Sequence, residues 1–199
     1  MANHNNQTPI SRQLTRVAPL VLVGSGLIVL SVLAFIFWPG TGSRGDGGGA
    51  AEVPNSSLPV EVDFSAPKLT LLDLEGKAVS LDDYRGQVVL VNNWATWCPP
   101  CKAEMPELQA YYDSHSQDRF TIIAIDAGDS LWEVRQFVHD FGLTFPVWTD
   151  SDMEALSAFR NRGLPSSYVI DEFGTVRLAW TGAVSLETLE KYVTPLLED

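Results

Sequence analysis

The sequence predicts an α/β domain, a mixed central sheet flanked by helices, preceded by one transmembrane helix. Two patterns predict the domain: apolar strand-like runs alternate with helical spacing in the middle of the chain, and an antiparallel strand pair precedes the last helix. One long uncharged stretch near the N-terminus predicts the membrane span. The chain has 199 residues, 45% of them hydrophobic, which is enough for one ordinary domain plus these additions.

Residues 18–38 carry no charged side chain and are long enough to cross the ~30 Å hydrocarbon core of a bilayer as a signal-anchor helix. Arg12 and Arg16 precede the stretch, which favours a cytoplasmic tail over residues 1–17 and an extracytoplasmic domain at the cell membrane. The alternative is a signal peptide cleaved near Ala50–Ala51, but its apolar region is typically only roughly 7–15 residues long.

Residues 39–57 are rich in glycine and serine and predict a flexible linker. The predicted soluble domain, residues 58–199, carries 23 acidic and 10 basic side chains, a net charge of −13. It has no basic stripe of the kind that phosphate binding needs, so nucleic acid is excluded as a partner. The acidity favours solubility but names no substrate.

The domain begins with a predicted hairpin of two alternating strands, 68–72 and 77–81. The apolar run 87–94 predicts a buried central strand, and a helix is expected from Cys98 to about Asp113. The remaining elements follow in the order strand, helix, strand, helix, two antiparallel strands and helix: 119–126, 131–141, 144–148, near 152–160, 166–171 with 175–182, and 185–197.

Cys98 and Cys101 are the chain's only cysteines, and they lie in WCPPC where the central strand gives way to the helix. Unpaired N–H groups and the positive end of the macrodipole at a helix N-terminus lower the pKa of a thiol placed there. Pro99 suits the first helical turn because its missing N–H would have had no partner. The pair is therefore expected to close a reversible disulfide, with Cys98 as the exposed attacking thiol and Cys101 as the resolving thiol.

Other uses of this cysteine pair fit the sequence less well. A zinc half-site needs two further ligands, but there is no other cysteine, and His4, His115 and His139 are scattered. A copper relay usually separates its cysteines more widely and adds a histidine, and an inert pair leaves the intervening prolines unexplained. The expected redox group is the Cys98–Cys101 disulfide itself, with no cofactor and no metal.

Three stretches of the domain resemble the membrane-anchored thioredoxin-fold thiol-disulfide oxidoreductases of the TlpA/ResA/CcmG type. They are LDDYRGQVVLV, VVLVNNWATWCPPCKAEMPEL and GLPSSYVIDEFGTV. The resemblance covers about residues 60–197. It implies a thioredoxin-like fold with an added N-terminal β-hairpin.

The resemblance also implies roles for residues around the dithiol. Pro165 matches the family's cis-proline, beside which the backbone of Leu164 would pair with an incoming substrate strand. Glu104 matches a carboxylate found after the second cysteine. If this carboxylate is partly desolvated, its pKa rises and it can take the proton of Cys101.

Trp97 is expected to shield the site and, with Pro99 and Leu164, to bind substrate. Asn92 and Asn93 depart from the resembled pattern, in which thioredoxins proper have an aspartate at the first position and relatives commonly have a large apolar residue at the second. An asparagine cannot accept a proton as that aspartate does, which makes Glu104 the stronger candidate for the proton acceptor. One of the two asparagines should point inward and needs a hydrogen-bond partner.

Together these features predict an extracytoplasmic reductase that passes electrons from the Cys98–Cys101 dithiol to disulfides of other proteins. By resemblance, one candidate substrate is an apocytochrome c, and the electron donor is a membrane thiol carrier. An oxidant of the same fold is an alternative, because the Pro-Pro dipeptide does not fix the potential. A peroxiredoxin-like peroxide reductase is disfavoured because no threonine lies three residues before Cys98, and a redox-inactive docking module is disfavoured by the intact cysteines.

Overall fold

The computed structural model of the protein describes residues 56–116 and 119–198. The predicted tail, the predicted anchor at 18–38 and nearly all of the predicted linker lie outside these residues, so their boundaries stay predictions. Within the two described ranges, no helix is both long enough and apolar enough to cross a bilayer.

The described strands form one mixed sheet of eight, in the order β1-β8-β7-β4-β5-β6-β2-β3. In chain order they are Val60–Ser65 (β1), Thr70–Asp73 (β2), Ala78–Ser80 (β3), Val88–Trp94 (β4), Phe120–Ala127 (β5), Val147–Asp150 (β6), Ser166–Ile170 (β7) and Thr175–Thr181 (β8). The neighbours β4, β5 and β6 run parallel, and the other neighbouring pairs are antiparallel. The predicted mixed sheet with an added hairpin, here β2–β3, is confirmed.

Helices connect the parallel strands and close the domain. The α-helices are Pro99–His115 (α1), Leu131–Phe141 (α2), Glu154–Ala158 (α3) and Leu186–Tyr192 (α4), with short 3-10 helices at Leu81–Tyr84 and Thr194–Leu197. The connections β4-α1-β5 and β5-α2-β6 place the starts of α1 and α2 at the same edge of the sheet, because parallel strands end at one edge.

Side chains along β4 alternate between two hydrophobic cores, one on each face of the sheet. Leu90 and Trp94 pack on the face covered by α1, whereas Val89 and Val91 pack on the opposite face. The same alternation places Asn92 on the α1 face, directly below the helix that begins at the cysteines. Because both faces of the sheet are covered, the polar residues at the end of this central strand are buried too.

Some predicted boundaries are wrong, and proline explains two of them. The strand predicted at 144–148 begins at Val147, after Pro146, which has no N–H to donate to a ladder. The helix predicted to run to 197 ends at Tyr192 and gives way to a 3-10 turn that contains Pro195. The sequence analysis also missed β1, whose side chains alternate between half-buried and exposed on an edge strand paired with β8.

The helix predicted near 152–160 is shorter, because the Asp150 carboxylate fixes its start. Oδ1 of Asp150 accepts from the N–H of Glu154 at 2.9 Å, and Oδ2 accepts from the N–H of Ala155 at 2.8 Å. These two bonds satisfy N–H groups that the first turn of a helix leaves unpaired. The helix therefore starts directly after β6, at the same edge of the sheet as the cysteines.

Candidate active site

Cys98 and Cys101 form a disulfide at the start of α1, with their Cα atoms 5.3 Å apart. Cys98 is the N-cap residue in extended conformation, and its Sγ accepts from the N–H of Cys101 at 3.3 Å. Pro99 and Pro100 occupy the first two helical positions, where no N–H is needed. The predicted placement of Cys98 at a helix N-terminus is confirmed, and a thiolate there would be stabilised by the same N–H groups.

The burial of the cysteines differs from the prediction of an exposed Cys98. In the disulfide state Cys98 exposes only 3% of its surface and Cys101 none, so that prediction is wrong for this state. The residues around Cys98 are the exposed ones: Trp97 exposes 64% of its surface, and Pro99 is exposed as well. A partner therefore meets the indole and the proline before it reaches sulfur.

Glu104 is buried three residues after Cys101, on the same face of α1. Its Oε1 accepts from Nδ2 of Asn92 at 2.9 Å, and its Oε2 accepts from the N–H of Val184 at 3.1 Å. Burial raises the pKa of Glu104 to about 8, although both hydrogen bonds act to lower it. The carboxyl is therefore poised to gain or lose a proton near neutral pH.

The two asparagines of β4 lie on opposite faces of the sheet, and both are buried. Asn92 donates to Ser167 Oγ at 3.0 Å as well as to Glu104, and Asn93 donates to Ser166 Oγ at 3.3 Å. One of the two was expected to point inward and to need a hydrogen-bond partner; both are buried, and each has one. The serines that follow Pro165 in β7 supply the partners, because Asn92 pairs with Ser167 and Asn93 with Ser166 in the β4–β7 register.

The peptide bond between Leu164 and Pro165 is cis, as the resemblance implied. The carbonyl of Pro165 accepts from the N–H of Gly182 at 2.8 Å, which ties the loop to the end of β8. Among the described residues, no backbone hydrogen bond is made by Leu164. Its N–H and C=O are therefore available to pair with an added strand.

Sequence reasoning missed the contribution of the segment that leads into α4. The N–H of Val184 bonds to Glu104, and the N–H of Leu186 bonds to Glu107 Oε2 at 2.9 Å. Two carboxylates of α1 thus hold the backbone of one distant segment. The sequence carries no signal for this contact, because the donors are backbone N–H groups, which nearly every residue type has.

A second buried carboxyl, Asp126, was also missed. It lies one residue before the end of β5, in register with Trp94, and its Oδ1 accepts from the N–H of Asp129 at 3.0 Å. Asp129 in turn accepts from the N–H of Thr96, in the loop before the cysteines, at 2.6 Å. Burial raises the pKa of Asp126 to about 8, and Asp129 adds to the rise. Within the described ranges, no cluster of histidine, cysteine and carboxylate side chains is arranged to hold a metal ion.

Comparisons with known proteins agree with this arrangement. A model of the AhpC/TSA family matches residues 62–179. The thiol-disulfide oxidoreductase ResA of Geobacillus kaustophilus is 37% identical over 134 residues, which make up 67% of this chain and 77% of that relative.

Two solved structures extend the likeness to the fold. A thioredoxin-family thiol:disulfide interchange protein from Chlorobium tepidum is 28% identical, with a TM-score of 0.62, and the match covers 69% of this chain and 99% of that one. StoA from Bacillus subtilis is 27% identical, with a TM-score of 0.55, and the match covers 67% of this chain and 98% of that one. The chain therefore belongs to the AhpC/TSA family and is a thioredoxin-fold thiol-disulfide oxidoreductase of the TlpA/ResA/CcmG type.

Proposed function

We propose that this oxidoreductase works as a membrane-anchored, extracytoplasmic reductant of protein disulfides. The observation that carries the proposal is the buried Glu104 carboxyl one helical turn behind Cys101. A carboxyl with a pKa of about 8 can take a proton from a buried thiol and return it at physiological pH.

In the first step, the Cys98 thiolate attacks one sulfur of the substrate disulfide. A mixed disulfide forms between Cys98 and the substrate, and the other substrate sulfur leaves as a thiolate and takes a proton. Trp97, Pro99 and the free backbone of Leu164 hold the substrate strand beside the helix N-terminus.

In the second step, the Glu104 carboxylate accepts the proton of the Cys101 thiol. The Cys101 sulfur then attacks Cys98 Sγ, closes the disulfide and releases the second substrate sulfur, which is protonated in turn. Two electrons have passed from the enzyme dithiol to the substrate disulfide. The enzyme is left in its disulfide state, and an external dithiol must reduce it again.

The predicted anchor at 18–38 puts this chemistry outside the cytoplasm, where disulfides form and persist. A membrane thiol carrier would supply the electrons, because the enzyme must be reduced again on that side. An apocytochrome c, whose haem-binding cysteines must be reduced, is the proposed substrate.

The reduction potential of the Cys98–Cys101 pair tests the direction of transfer, and equilibration of the domain with dithiothreitol or glutathione measures it. A reductant is expected near the thioredoxin value of about −270 mV. A value near about −120 mV, typical of a strong oxidant, would reverse the direction and make the protein a disulfide donor.

A further inference from the structure

Four large apolar side chains stand exposed on three loops, and on the helix starts that follow them, at the disulfide edge of the sheet. They are Trp97, Leu131, Trp132 (72% exposed) and Met153 (47% exposed). The loops follow β4, β5 and β6, which are adjacent parallel strands, so the loops lie side by side. Exposed apolar side chains that gather in this way mark interaction surfaces, whereas scattered ones need no explanation.

Direct contacts join the three loops into one surface. The N–H of Thr96 bonds to Asp129 across the first two loops, at 2.6 Å. A Cβ on Gly128 would lie 3.1 Å from Cε of Met153, so the second and third loops are also in contact. We call residues 96–98, 128–133 and 151–154 the loop surface.

The loop surface is acidic as well as aromatic. It contains four carboxylates and no lysine, arginine or histidine: Asp129, Glu133, Asp152 and Glu154. Glu133, Asp152 and Glu154 are exposed. The next cation along α2, Arg135, donates to the carbonyl of Leu74. Leu74 follows the end of β2 that lies beside the start of β6, so this cation is directed to the opposite edge of the sheet.

We propose that the loop surface binds an extended, lysine- or arginine-bearing segment of the protein substrate, next to the disulfide that Cys98 attacks. The indoles of Trp97 and Trp132 offer faces to a cationic side chain, and Asp152 and Glu154 offer opposite charge. The inference rests on the proposed function in that the substrate is a protein.

Charge argues against the other occupants of such a surface. A second copy of this chain would bring the same carboxylates to the contact, and an anionic lipid surface would be repelled in the same way. A cationic, unfolded segment has complementary charge, and its approach would be accelerated by the field of a domain with net charge −13.

The test compares two disulfide-bridged peptides that differ only in flanking lysines or flanking glutamates, with hydroxyethyl disulfide as a small neutral substrate. The reduced full-length protein is expected to reduce the lysine peptide with about tenfold higher kcat/KM than the glutamate peptide. Salt should diminish this preference, because exposed charges are screened over about 8 Å at 0.15 M ionic strength.

Two variants locate the preference. The variant D152N/E154Q and the variant W132A should each lower kcat/KM for the lysine peptide several-fold and leave that for hydroxyethyl disulfide unchanged. Matched controls away from the disulfide edge, D63N/E172Q and F173A, remove two carboxylates and an exposed ring and should leave kcat/KM unchanged for both peptides and for hydroxyethyl disulfide. Asp63 is exposed and Glu172 is partly exposed, and Phe173 lies in the turn between β7 and β8.

Equal rates for the lysine and glutamate peptides, or a preference that D152N/E154Q and W132A leave intact, would overturn the loop surface as a binding site. The reductase function would survive either result. If the reduced protein reduces neither peptide nor hydroxyethyl disulfide, the proposed function is contradicted instead.

Discussion

Glu104 shows how one residue acquires a function from its burial. Its neighbour Glu107, one turn along α1, also accepts a backbone N–H from the segment leading into α4 but is only partly buried. The two glutamates share a helix and a type of partner but differ in burial, and burial raises the pKa of Glu104 to about 8. The pair therefore offers a matched test of the proton transfer.

We expect Glu104→Gln to slow resolution of the mixed disulfide about 100-fold at pH 8, because the variant has no base for the Cys101 thiol. The wild-type rate should rise as Glu104 ionises around pH 8, and the variant should lack this inflection. Stopped-flow oxidation of the reduced protein across pH 6–9 measures both. Glu107→Gln should keep the wild-type profile, and an inflection preserved in Glu104→Gln would remove Glu104 from the mechanism.

We expect Cys101→Ser to trap substrates, because Cys98 can still attack but the mixed disulfide cannot be resolved. Non-reducing gels of the variant with a disulfide-bridged peptide should show an adduct that dithiothreitol releases. Cys98→Ser supplies the control and should form no adduct. An adduct of equal yield with Cys98→Ser would assign the attack to the other cysteine.

The site residues that the sequence identified are those whose roles depend on neighbours close in the sequence. The cysteines and prolines of WCPPC are read from adjacent positions, and the spacing from Cys101 places Glu104 on the same helix face. The hydrogen-bond partners of Asn92 and the role of Val184 could not be read in this way. They depend on the β4–β7 register and on a backbone group of a distant loop, which no side-chain pattern specifies.

At the scale of elements, carboxylates recur where parallel strands end. Asp126 lies one residue before the end of β5 and Asp150 is the last residue of β6, and both are buried. Asp150 is satisfied by two N–H groups of α3, whereas Oδ2 of Asp126 has no hydrogen-bond partner among the described residues. The same residue type near the ends of neighbouring strands therefore has opposite consequences for stability.

We expect Asp126→Asn to stabilise the fold increasingly as pH rises. The pKa of Asp126 is raised to about 8 in the folded state, against about 3.9 for an unfolded aspartate. Unfolding between these values releases a proton, so this group's contribution to stability is full below about pH 4 and lost as pH rises through about 8. Asparagine has no such loss.

Thermal melts at pH 5 and pH 8 measure the difference, which should reach about 1–3 kcal/mol in favour of Asp126→Asn at pH 8. Asp150→Asn is the contrasting variant. It replaces one of two accepting oxygens at the start of α3 and should cost about 1 kcal/mol at both pH values. A stabilisation of Asp126→Asn that is greater at pH 5 than at pH 8 would contradict the assigned protonation.

The boundaries of elements were predictable where one local signal dominates. Gly142, with φ +63°, ends α2 at the predicted residue, because its left-handed conformation favours glycine. The edge strand β1 was missed because its six residues alternate only between half-buried and exposed, and it is held as a strand by its pairing with the distant β8. The start of α3 was missed for a similar reason, since its cap comes from the end of the preceding strand.

At the scale of the whole molecule, the redox reaction and the folding reaction are linked. Folding and disulfide formation make one thermodynamic cycle. If the disulfide forms more favourably in the folded chain than in the unfolded chain, the disulfide form has the larger free energy of unfolding, and by the same amount. A strong oxidant has a stabilised reduced form, whereas a reductant has a fold that favours its disulfide. The direction of electron transfer can therefore be read from stability alone.

We expect the disulfide form of this protein to melt at a higher temperature than the dithiol form, because the proposed function requires a fold that favours oxidation of Cys98 and Cys101. Calorimetry of the oxidised protein and of the same protein held in dithiothreitol measures the two melting temperatures. Cys98→Ser/Cys101→Ser is the control, and its melting temperature should not respond to dithiothreitol. If the dithiol form melts higher, the folded chain stabilises its thiols, and the protein would donate disulfides rather than reduce them.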